Sequence, residues 1–97
     1  NRSPEQRKQD AQRRQQRAEQ LRPLKKELEQ AEKRMAALNT EKQALEDTLS
    51  QPASAATLAD TGRRLKAVND ELERLELRWL ELGEQLEAAA SDGDATA

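Results

Sequence analysis

Apolar residues recur at alternating steps of three and four through two stretches of this chain, and one short polar segment separates the stretches. The first ladder runs Leu21, Leu24, Leu28, Ala31, Met35, Leu38, Lys42, Leu45 and Leu49; the second runs Leu58, Thr61, Leu65, Val68, Leu72, Leu75, Trp79, Leu82 and Leu86. On an α-helix that spacing keeps one narrow seam turned toward a partner helix, so each ladder reads as one strand of a coiled coil. The intervening Ser50-Gln51-Pro52-Ala53-Ser54 is too short to carry the second helix anywhere but back along the first. The pattern predicts an all-α domain over 21–90: an antiparallel two-helix coiled-coil hairpin with helices at about 22–49 and 54–90.

Breakers and caps set the boundaries. Pro23 sits just inside the first ladder, where a missing N–H costs least, and it predicts a boundary or kink near Arg22. Ser54 or Thr57 can cap the second helix. Ser91-Asp92-Gly93-Asp94 reads as its stop, with 91–97 a disordered tail. Residues 1–20, rich in Gln and Arg and nearly devoid of apolar side chains, have no face to bury and read as a basic linker or arm, helical or disordered. Gly62 and Gly83 each follow a seam residue; they either let the helices approach closely or loosen the second helix locally.

Side chains also predict the register. Setting Leu21 against Leu82, Leu24 against Trp79, Leu38 against Leu65 and Leu45 against Leu58 pairs apolar with apolar, and it leaves the two polar seam residues, Lys42 and Thr61, facing each other. The same register brings Glu27 to Arg78, Arg34 to Glu71 and Glu41 to Arg64 on one flank, and Lys25 to Glu76 on the other. A slip of one heptad would set Arg34 against Arg78 and Glu41 against Glu71, so like charges oppose the alternative.

Composition narrows the chemistry. With 97 residues, 34% hydrophobic and 37% charged, the chain can fill a seam but not a deep core. It has neither His nor Cys, which removes the usual zinc ligands, the thiol nucleophile and the neutral-pH general base. There is no phosphate-binding G-x-x-x-x-G-K-[ST] run, and Asp92-Gly93-Asp94 lacks the remaining ligands of a calcium loop. No enzymatic role, cofactor or metal is expected of this segment. No apolar run reaches membrane-spanning length and no signal-peptide pattern precedes the first ladder, so the expected location is cytoplasmic, without membrane contact.

The net charge of −2 conceals an asymmetry. Residues 1–26 hold nine Lys or Arg against three acids, a balance of +6, whereas the remainder holds eight against sixteen, a balance of −8. A basic arm on an acidic rod suggests phosphate binding at the base through Arg13, Arg14, Arg17, Arg22, Lys25 and Lys26; none of the four arginines is counted on the seam. A second basic set near the tip, Arg63, Arg64 and Lys66 with Lys42, is a further candidate. Solvated charge is the plainer reading of both. Leu77 and Leu80 lie off the seam and form a candidate docking patch for a neighbouring domain. Trp79, the one aromatic residue, could stack on a base, but its seam position makes it a core plug against Leu24.

Three segments together resemble a known family: Gln12-Arg13-Arg14-Gln15-Gln16-Arg17-Ala18-Glu19, then Leu21-Arg22-Pro23-Leu24-Lys25-Lys26-Glu27-Leu28-Glu29, and Arg78-Trp79-Leu80-Glu81-Leu82. Over residues 7–88 the chain is similar to the C-terminal coiled-coil extension of ABC-F ATPases of the YheS and Uup type. The resemblance implies a parent protein with two ATP-binding cassettes, where ATP and Mg would be used, without a transmembrane domain and acting on the ribosome in translation. For the Uup type it also implies nucleic-acid binding, to DNA or ribosomal RNA, by this extension. The expectation is therefore a non-catalytic, monomeric nucleic-acid-binding domain. Its rival is a structural spacer or protein-docking coiled coil.

Overall fold

A computed structural model describes residues 3–95, with side chains through Ser91. Two helices account for nearly all of them: α1, Pro4–Leu49, and α2, Ala55–Ala95. At 1.5 Å per residue the 46 residues of α1 span roughly 69 Å, which matches a molecule measuring 75 × 17 × 14 Å. The two helices lie against each other as an antiparallel hairpin.

The start of α1 departs from expectation. The helix begins at Pro4, not near residue 22, and runs through Pro23 without a break. Ser3 closes its first turn with a capping box: the Gln6 amide donates to Ser3 Oγ, and the Ser3 amide donates to Gln6 Oε1, each at 3.2 Å. Pro4 occupies a first-turn position, where no N–H is needed. The arm of residues 1–20 is therefore helical wherever it is described. At the other end α2 continues through 91–95, beyond the expected stop, because Gly93 lowers helix propensity without forbidding helix. Residues 96 and 97 of the expected tail lie outside the described residues.

At the turn, α1 ends on Ser50, whose amide reaches the Glu46 and Asp47 carbonyls and whose hydroxyl donates to Asp47 O at 2.7 Å. Of the two candidate caps Ser54 is the one used: the Thr57 amide donates to Ser54 Oγ at 3.1 Å.

The seam closes on Leu38, Val68 and Leu72, with Met35, Leu45 and Leu75 packed around them, and Ala31 and Leu82 are also buried. Thr61 is buried and Lys42 half-buried in the polar layer. Three of the four expected flanking pairs form. Arg34 grips Glu71 through Nε at 2.6 Å and Nη2 at 2.9 Å, Arg78 grips Glu27 at the same two distances, and Arg64 Nη2 donates to Glu41 Oε1 at 2.7 Å. The fourth does not: Lys25 and Glu76 stay exposed and join no ion pair. The glycines do not mark a close approach either, since a Cβ on Gly62 or Gly83 would meet nothing within 4 Å.

Candidate functional site

The first half of α1 carries the basic residues in a regular array. Arg7, Arg14, Arg22 and Lys25 are separated by seven, eight and three residues, so they fall in one stripe, with Lys26 one turn beyond Arg22. From Arg7 to Lys26 the stripe covers roughly 28 Å of helix. Arg13, Arg14, Arg22, Lys25 and Lys26 are exposed, and none of their side chains takes an ion-pair or hydrogen-bond partner. Arg17 differs. It lies four residues before Leu21, continuing the ladder, and is half-buried, so it belongs to the seam after all.

Three of the four tip cations are committed elsewhere. Arg63 pairs with Asp60, Lys66 Nζ lies 3.4 Å from Asp70, and Arg64 is held by Glu41 across the hairpin. The level of Glu41 lies fifteen residues beyond Lys26, roughly 22 Å along the axis, so the basal and tip sets are not one site. Lys42 makes no ion pair.

The three interhelical forks set the electrostatics of one flank. Hydrogen bonds from Arg78, Arg64 and Arg34 hold the Glu27, Glu41 and Glu71 carboxyls, respectively, below the ordinary carboxylate value, outweighing the opposing effect of desolvation. In return, hydrogen bonding to the carboxylates raises all three guanidinium groups above their ordinary value.

Trp79 is not a core plug. It is 38% exposed, and its indole N–H donates to Glu32 Oε1 at 3.0 Å. Glu32 sits eight residues past Leu24, Trp79's expected partner. Side chains lean toward the N-terminus of their own helix, so in an antiparallel pair both lean into the same level and meet there. The tilt leaves a groove of about 250 Å³ on the flank opposite the arginine forks, floored by Leu28, Trp79, Leu80 and Gly83 and edged by Glu32, Glu84 and Glu87. Leu80 is 53% exposed and lines this groove, whereas Leu77 is exposed outside it. The groove and the acidic side of Trp79 are what sequence reasoning missed; the signal available was the pairing of Gly83 with Leu80 and Trp79, three and four residues away on one helix face.

Among the described residues no group of His, Cys, Asp or Glu is arranged to hold a metal ion, and no helix is long and apolar enough to cross a membrane. Neither a curated protein nor a solved structure matches the chain. Residues 21–84 match the family model of the ABC transporter C-terminal domain, which spans the paired seam and leaves the first twenty residues outside.

Proposed function

The chain belongs to the ABC transporter C-terminal domain family, and from that premise we propose that it is the nucleic-acid-binding, non-catalytic extension of an ABC-F ATPase acting on the ribosome in the cytoplasm. ATP and Mg serve the cassettes of the parent protein; this hairpin contributes contacts to phosphates of DNA or ribosomal RNA. One observation carries the reading: the basal cations stand in a stripe on a continuous helix with no carboxylate partners, while three of the four tip cations, Arg63, Arg64 and Lys66, are already paired. An unpaired guanidinium or ammonium meets a phosphate without first breaking an internal ion pair, and a helix holds successive cations at fixed spacing. Base identity plays little part, because phosphates carry no sequence information.

Salt dependence measured by fluorescence anisotropy on duplex DNA and structured RNA tests this. If four to six cations are engaged on a duplex, affinity falls by roughly 10² to 10³ between 50 and 200 mM salt. Arg14→Gln, Arg22→Gln, Lys25→Gln and Lys26→Gln together flatten that slope and leave helicity unchanged, since all four side chains are exposed. Arg17 is left in place because of its seam position. Unchanged affinity in the quadruple variant, or no binding at low salt, would reject the reading in favour of a spacer.

A further inference from the structure

The groove beside Trp79 combines an apolar floor with an edge that is wholly acidic. Leu28, Trp79 and Leu80 supply the floor, and Gly83 leaves it uncovered where any other residue would project a side chain. Trp79 has its N–H satisfied by Glu32, so what the indole offers a ligand is its apolar face. Glu84 and Glu87 make no ion pair or hydrogen bond, and Glu76, one turn before Trp79 and Leu80, makes none either. A nucleic-acid strand is repelled by such an edge. A small molecule is poorly served as well, since about 250 Å³ is below the roughly 300–1,000 Å³ of ordinary ligand clefts and suits one or two inserted side chains.

From this complementarity we propose that the groove is a docking site for a cationic amphipathic segment of a partner protein, one that seats an aliphatic side chain on Trp79 and Leu80 and brings Lys or Arg to Glu84 and Glu87. Apolar contact supplies the attraction and the carboxylates select the sign of the flanking charge. None of the basal cations lines the groove, although Lys25 lies on the same flank one turn before Leu28, so the two sites are neighbours with separate linings.

Trp79 is the chain's one aromatic residue, and it reports directly on the groove. Titrating the 97-residue chain with a synthetic amphipathic peptide of Leu and Lys should blue-shift Trp79 emission saturably. Replacing Lys by Glu in the peptide should abolish the shift. Glu84→Lys with Glu87→Lys should weaken binding by about tenfold or more, as reversal of two exposed charge contacts does. Gly83→Leu should block the floor while circular dichroism shows helicity kept, because the space over Gly83 is open. Both variants should bind DNA no more weakly than the parent chain does. Absence of an emission shift, equal binding of the Lys and Glu peptides, or wild-type affinity in the charge-reversed variant would overturn the proposal. So would a dimer of the chain that Glu84→Lys with Glu87→Lys dissociates, which would give the groove to a second copy.

Discussion

Apolar positions that look equivalent along the seam differ widely in burial, and burial decides what each contributes. Leu38 keeps 1% of its surface in water, whereas Leu49 at the tip keeps 37%. Leu38→Ala should therefore cost about 2 to 5 kcal/mol in urea unfolding, the range for a closed core site. Leu49→Ala should cost about 1 kcal/mol, since less area leaves water there and little cavity is left behind. Gly62→Ala and Gly83→Ala should each stabilise the hairpin by about 1 kcal/mol, because the new methyl meets nothing and helix propensity improves. A loss of stability at either glycine would show that these sites hold the helices close together. Trp79 illustrates why the ladder alone misleads: heptad position gives direction from the helix axis, but a long side chain leans along the axis and can leave the seam.

At the scale of the helix, Pro23 is the residue that ought to divide α1 and does not. Its ring removes one intrahelical hydrogen bond and crowds the carbonyl four residues back, a cost of about 3 kcal/mol, of which the stiffer unfolded chain returns about 0.4–1. Pro23→Ala should stabilise α1 by about 2 kcal/mol and raise amide-exchange protection of residues 5–22; unchanged protection would mean that the helix there is already secured by packing on α2. The extent of α1 was legible in part. Ser3-Pro4-Glu5-Gln6 spells a capping box with proline in the first turn, but with no apolar ladder following it the signal went unread, and Pro23 argued the other way. The register, by contrast, was legible to the level of individual ion pairs, because oppositely charged residues flank the seam at heptad spacing. Arg34 and Glu71 should couple by a few tenths of a kcal/mol in a double-mutant cycle, as exposed pairs do. Additivity would remove their role in setting register. The basal cations were legible as a cluster; that they are unpaired while Arg63, Arg64 and Lys66 at the tip are paired depends on which carboxylates the fold places beside them.

For the molecule as a whole, the three forks tie stability to pH. Glu27, Glu41 and Glu71 have folded-state pKa values below the ordinary 4.5, so the unfolded chain binds protons first as acid is added. The stabilisation they give is complete above that ordinary value and is lost as pH falls through the lower folded-state values. The melting temperature should hold steady from neutral pH down to about 5 and then decline. In a variant with Glu27→Gln, Glu41→Gln and Glu71→Gln the decline should be shallower; an identical decline would place the acid sensitivity in other carboxylates.

The forks also give the rod a grain. Six guanidinium–carboxylate hydrogen bonds stitch one edge, recurring every seven residues at Glu27, Arg34 and Glu41. The opposite edge carries both seam-flanking glycines and is bridged only by Trp79 and Glu32 among the described residues. A sideways load that opens the stitched edge must strip these bonds in turn, whereas one that opens the other edge breaks a single contact. The hairpin is thus laced along one edge and nearly open along the other, like a book bound at its spine.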